Sequence, residues 1–187
     1  MTEQDEDKAR AVRERYQELV AKVDTFFTRV QSRHGGAMQC KAGCTACCHV
    51  RLSVTALEAS VIREGLSRLP EEERARLAHR AKQGAPGSCP ALEADGRCAL
   101  YAWRPLVCRS HGVPIRQREP DGAASVSACE KNFEGGAGLP DVSPDCVLDQ
   151  TTLSTVLGAL DAAYADARGA RRGERIRLDT LLGETRS

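Results

Sequence analysis

Cys40-Lys41-Ala42-Gly43-Cys44-Thr45-Ala46-Cys47-Cys48-His49 is the stretch on which the fold turns, and it places four cysteines within nine residues. Thiolates two to four positions apart on a tight turn converge readily on one tetrahedral ion, and Gly43 lets the backbone bend between them. Unpaired thiolates repel one another, so a cation is needed to hold them together as anions. The competing readings are buried inert thiols or a redox pair, and the density of the cluster favours metal. Adjacent side chains rarely point at one spot, so Cys47 and Cys48 are expected to do different jobs.

Working outward, five further cysteines follow: Cys89, Cys98, Cys108, Cys129 and Cys146. Residues 85–145 are rich in Pro and Gly and hold no helical period beyond two turns. So long an irregular stretch is rare in a compact domain unless something other than regular hydrogen bonding organises it. Metal would supply that organisation. Cys40, Cys44, Cys47, Cys48, Cys89, Cys98, Cys108 and Cys129 offer eight thiols, which suits two four-thiolate sites or one cluster plus one ion. Lys41, Arg104 and Arg109 flank these cysteines and would offset the negative charge by donating to ligating sulfur; otherwise they are ordinary surface cations. Pro105 biases Arg104 toward an extended conformation. His49 and His111 are either alternative ligands or hydrogen-bonding neighbours. His34 reads as a helix-dipole partner, and His79 as a solvent-facing helix residue.

Helices are expected on both sides of the cysteine-rich region. Val12, Tyr16, Leu19, Val23, Phe26, Phe27 and Val30 recur at three- and four-residue steps, which predicts an amphipathic helix over about 7–33. Gly35-Gly36 would end it through a left-handed cap. Its near-heptad stripe suits packing within the chain or, as an alternative, on a second copy. Thr55-Ala56-Leu57-Glu58 reads as a capping box opening a helix with Leu57, Val61, Ile62, Leu66 and Leu69. Pro70 suits the first position of a third helix that runs to about Lys82 and stops at Gly84-Ala85-Pro86-Gly87. Asp149 would cap a helix carrying Leu153, Val156, Leu157, Leu160 and Tyr164. A basic, frayed tail with a short apolar patch at Leu178, Leu181 and Leu182 is expected to follow. The fold class is thus mainly α: one domain over 1–187, a small helical domain whose irregular cysteine-rich metal-binding core covers about 38–133, flanked by N-terminal and C-terminal helices.

The whole chain narrows the function. Its 187 residues suit one domain with a real core, but the aromatic fraction is only 4%, so something besides apolar burial is expected to help hold the fold. A net charge of +1 argues against a general nucleic-acid binder. Arg171, Arg172, Arg175 and Arg177 are expected to be a solvated basic run. The acidic start, MTEQDEDKAR, has no signal-peptide character, and no apolar run approaches the roughly 18 residues of a membrane span. A cytoplasmic protein is expected, in which nine cysteines point to metal rather than to a disulfide framework. No paired carboxylates, Ser/His/Asp arrangement or phosphate-cradling loop stands out, so the residues leave open whether the protein is an enzyme.

Taken together, Cys40-x3-Cys44-x2-Cys47-Cys48, Cys89-Pro90-x-Leu92, Gly96-x-Cys98-x2-Tyr101-x2-Arg104-Pro105-x2-Cys108-Arg109 and Cys129 resemble the YkgJ-type cysteine cluster family. That bacterial family is described as a zinc- or iron-chelating domain with eight characteristic cysteines and a CxxCxxCC core. The resemblance covers roughly 40–133. It implies that the eight cysteines named above are the ligand set and that Cys146 is a free thiol outside it. The first two cysteines are three residues apart here, against two in many members. Related segments occur in flagellin lysine methylases, where an iron–sulfur cluster is implicated. Cys40-x3-Cys44-x2-Cys47 is also similar to the cluster spacing of radical S-adenosylmethionine enzymes, though the strand–helix alternation of their barrel is missing. Two readings follow. The favoured one is a zinc protein, with one or two ions in closed thiolate sites and a structural or interaction role. The alternative is an iron or [4Fe-4S] protein with redox or methyl-transfer-type activity. A third, weaker reading is a carrier that passes its ion onward.

Overall fold

The computed structural model describes residues 2–83, 87–119 and 121–184. They form two compact units, each drawn from separated stretches of chain. The first comprises the chain up to Arg13, Ala42–Pro105 and the chain from Asp161 onward; the second comprises Glu14–Lys41 and Leu106–Leu160. Six α-helices and five short strands are present among the described residues, so the mainly α expectation is met. Among the described residues, no helix is long and apolar enough to cross a membrane.

In the first unit, β1 (Ser53–Thr55) leads directly into α2 (Ala56–Arg68). The expected capping box is complete: Thr55 Oγ1 accepts from the Glu58 amide at 3.2 Å, and the Glu58 carboxylate accepts from the Thr55 amide at 3.1 Å. These bonds satisfy two backbone donors that the first helical turn leaves open. The buried Asp161 carboxylate accepts a third, from the Leu57 amide at 3.0 Å, a long-range cap that the local pattern did not announce. Helix α3 (Glu71–Gln83) starts one residue after Pro70, whose carbonyl accepts from the Arg74 amide at 3.1 Å. Most of the expected stop at residues 84–87 lies outside the described residues.

The expected frayed tail is corrected. Arg175–Arg177 form β5, which pairs antiparallel with β1 so that Val54 lies opposite Ile176. Helix α6 (Leu178–Gly183) then buries Leu178, Leu181 and Leu182 among Val54, Ala59, Ile62, Leu77, Ala91 and Leu100. The spacing 178, 181, 182 is that of a helical face, and α6 has α3 to pack on. The basic residues are held locally: Arg172 on Asp166 at 2.6 Å, Arg177 on Asp179, and Arg175 on the Ser53 carbonyl. Local pairing of this kind suits the solvated reading better than a polyanion-binding face.

Trp103 ends a short 3-10 turn (Tyr101–Trp103) and packs closely on α2 at Gly65. A Cβ at Gly65 would fall 2.4 Å from two atoms of the indole and 2.9 Å from Trp103 Cβ. Gly65→Ala is therefore expected to lower stability by about 1–3 kcal/mol through overpacking. That outweighs the gain of about 1 kcal/mol in helix propensity. Urea denaturation checks it, and a stabilised variant would show that the ring is not seated there.

The second unit takes most of α1 (Glu3–His34), whose first turn is acidic and last turn basic, as the helix dipole favours. The helix does not end in the expected left-handed glycine cap. Neither Gly35 nor Gly36 has a positive φ, and a 3-10 turn (Gly35–Ala37) closes on Met38 instead. Helix α4 (Leu106–Ser110) precedes a hairpin of β2 (Ile115–Arg118) and β3 (Ala124–Ser127), and β4 (Leu148–Asp149) adds to β2 in parallel. The stretch expected to be irregular therefore contains a small sheet, in strands too short to show a period. Asp149 caps α5 (Gln150–Arg168) as expected, accepting from the Thr152 amide at 2.7 Å. Val30, Met38, Val113, Phe133 and Cys146 form this unit's core. Leu19, Val23 and Phe26 of the α1 stripe line an open groove of about 670 Å³ with Leu148, Leu153 and Val156.

Candidate metal centre

All nine cysteines are free thiols, and they divide between the two units. Cys44, Cys47, Cys48, Cys89 and Cys98 lie in the first unit; Cys40, Cys108, Cys129 and Cys146 lie in the second.

Local turns bring the first group together. The Cys48 amide donates to the Thr45 carbonyl at 2.8 Å, folding residues 45–48 into a tight turn. The Cys48 carbonyl accepts from the Cys89 amide at 2.7 Å, which ties that turn to the next cysteine. Residues 91–99 form a small hairpin: the Ala99 amide donates to Ala91 at 2.9 Å, and the Glu93 amide to Arg97 at 2.8 Å. Its tip, Gly96 at φ +81°, packs on Gly43 at φ +87°, and a Cβ at Gly96 would lie 3.4 Å from the Gly43 Cα. Two glycines allow this backbone approach, and both are in the left-handed region that glycine tolerates.

The electrostatics of this group pull in two directions. Burial, followed by the nearby Cys48, pushes the Cys47 thiol up to about 11. Burial also raises Cys48, Cys89 and Cys98, and their mutual charges add to the effect. Opposing this, the nearby backbone N–H groups of Ala91 and Leu92 lower Cys89, and that of Leu100 lowers Cys98. Arg80 favours the anion at Cys89, and Arg104 does so at Cys98. Backbone N–H groups aimed at sulfur favour the thiolate. These turns therefore suit anionic sulfur, and burial keeps the sulfurs protonated until a cation offsets their charge. The donor set fits a soft or borderline metal ion. Among the described residues, no three His, Cys, Asp or Glu side chains already stand in metal-holding geometry.

Arg104 is extended, at φ −60° and ψ 144°, as the following proline favours. Its guanidinium lies 3.9 Å from the Tyr101 ring centroid. Arg109 is buried and paired with Asp24 at 2.6 Å, while Lys41 is exposed. His49 is exposed, with Nε2 3.4 Å from the Thr45 hydroxyl. Desolvation holds His111 below its ordinary value, which favours the neutral ring that metals bind. His34 ends α1 and tilts against Phe133 with ring centroids 5.8 Å apart; His79 is exposed.

In the second unit, the Cys40 sulfur accepts from the Asn132 side-chain amide at 3.3 Å. Cys108 lies on α4, and Cys129 opens a turn closed by the Asn132 amide on its carbonyl at 2.8 Å. Cys146 is fully buried in the apolar core, with Arg33 Nη1 at 3.7 Å from its sulfur. Sequence reasoning passed over Asn132; a buried asparagine three residues after a cysteine has no signal of its own.

Residues 39–130 match the family model CxxCxxCC, described as "Putative zinc- or iron-chelating domain". No curated protein and no solved structure matches the chain.

Proposed function

Because residues 39–130 of this chain are a CxxCxxCC domain, we propose that the protein binds zinc through cysteine thiolates, in a structural or interaction role within the cytoplasm. Cys44, Cys47, Cys48, Cys89 and Cys98 supply the first unit's ligands, and Cys40, Cys108 and Cys129 are the second unit's thiolate group. The observation that carries this reading is the tie between two cysteine segments inside the family match: the Cys89 amide donates to the Cys48 carbonyl at 2.7 Å. At Cys89 and Cys98 burial favours the neutral thiol and the nearby amides favour the anion, so a cation would tip the balance to thiolate.

A structural role follows from where the ligands lie. Cys89 and Cys98 pack against the core of Val54, Ile62, Leu77, Leu100 and Leu181. Zinc held by these cysteines would supply a junction between their peptide segments. The chain's own residues do the rest. Cys47, which burial keeps neutral near pH 7, would have to release its proton to solvent to hold the ion. The amides of Ala91, Leu92 and Leu100 steady the sulfurs, and Arg80 and Arg104 reduce the net negative charge. Cys146, enclosed by Val30, Met38 and Phe133, serves as an apolar core residue.

The protein is to be purified without oxygen, its visible spectrum recorded and its metals measured by elemental analysis. A colourless protein holding one or two zinc ions per chain is the expected result. A brown protein with stoichiometric iron and acid-labile sulfide would replace zinc with an iron–sulfur cluster. A metal-free, folded protein would overturn the reading altogether.

A further inference from the structure

Asn132 lies two residues beyond the family match, yet it gathers three cysteine-bearing segments of the second unit. Its side chain is fully buried, and a buried amide must find partners for its two N–H groups and its oxygen. Nδ2 donates to the Gly112 carbonyl at 2.7 Å and to the Cys40 sulfur at 3.3 Å, and Oδ1 accepts from the Gln39 amide at 2.8 Å. Reversing the amide would set oxygen against a carbonyl and N–H against N–H, so this orientation is fixed. One side chain thereby joins Gln39-Cys40, the Gly112 peptide four residues after Cys108, and its own turn from Cys129.

The surroundings hold this arrangement tightly. Gly112 has φ +102°, and a Cβ there would lie 2.5 Å from the Cys40 sulfur and 3.1 Å from Asn132 Nδ2. The sulfur fills the space a side chain would take. Immediately after Asn132, Phe133 and Glu134 have φ of 52° and 53°. A bulky residue in that region is a genuine outlier that packing must hold in place. Here the Phe133 ring is buried with Val30, Met38 and Val113. The strained turn fixes the position of the asparagine.

We infer that Asn132 is a positioning residue: it orients the Cys40 sulfur and, through an N–H···S bond, sets that sulfur's strength as a metal donor. This rests on Cys40 being a ligand, as proposed above. A hydrogen bond to ligating sulfur withdraws charge from it and tunes the metal. A purely structural asparagine would leave the metal's spectrum unchanged.

The test loads the metal-free full-length chain with Co2+ and follows the sulfur-to-cobalt charge-transfer bands. Asn132→Asp keeps the oxygen that accepts from Gln39 and loses the amide donor. It is expected to weaken Co2+ binding by about 10- to 100-fold and to shift the charge-transfer bands. Cys40→Ser is expected to reduce their intensity. If Cys40→Ser reduces the intensity while Asn132→Asp binds and absorbs as the natural protein does, the positioning role is overturned and the ligand reading stands. If Cys40→Ser keeps full intensity, both fall. Should Asn132→Asp not fold, the natural protein loaded with Cd2+ decides. The Asn132 side-chain N–H resonance is expected to move on loading, and an unmoved resonance overturns the inference.

Discussion

Cys89→Ser is expected to cost the protein at least one bound metal ion per chain and to abolish the cooperative unfolding of its first unit. The Cys89 side chain packs on the apolar core, lies near the Ala91 and Leu92 backbone N–H groups and sits in a peptide tied to Cys48. On the proposed reading, removing it would take away a ligand that packs against the core. Serine oxygen is a poor substitute for thiolate on zinc, and structural zinc contributes on the order of 10 kcal/mol to folding. That exceeds the net stability of many domains. Elemental analysis with chelator titration followed by circular dichroism reads both effects. Cys146→Ala serves as the contrast and should leave the metal content unchanged. A full complement of metal in Cys89→Ser would remove Cys89 from the ligand set, and metal loss in Cys146→Ala would add Cys146 to it.

Leu181→Ala should destabilise the first unit by about 2–5 kcal/mol, the range for a buried leucine whose cavity closes only partly. Leu181 is fully buried in the same core cluster as Leu77 of α3 and Ile62 of α2. The size of the effect tests whether the chain beyond β5 belongs to the core. Val156→Ala, at a side chain 39% exposed, should change stability by no more than about 0.5 kcal/mol. Denaturation in urea separates the two. A Leu181 variant as mild as the Val156 one would return residues 178–182 to the tail that their basic neighbours suggest.

The Leu181 case shows what was and was not legible in the sequence. Leu178, Leu181 and Leu182 carry the spacing of a helical face, but the arginines around them read equally well as a solvated end. The decision came from β5, which pairs with β1 more than a hundred residues earlier and delivers α6 to the core. Three-residue strands are too short to show alternation, so neither was legible. By contrast, α2 was open to reading because Thr55 and Glu58 meet within one turn, and the start of α5 because Asp149 meets Thr152 in the same way.

The sequence by itself determined α1, α2, α3 and α5, the caps at Thr55 and Asp149 and the presence of a dense thiol cluster, because each depends on residues a few positions apart. Only the tertiary structure decided how the cysteines are shared, with Cys44, Cys47, Cys48, Cys89 and Cys98 in one unit and Cys40, Cys108 and Cys129 in the other. It alone brought Asn132 to the Cys40 sulfur and Asp161 to the start of α2. The physical reason is range. Backbone hydrogen bonds and helical faces are local, whereas a buried amide or carboxylate takes its partner from whatever segment folding brings within about 3 Å.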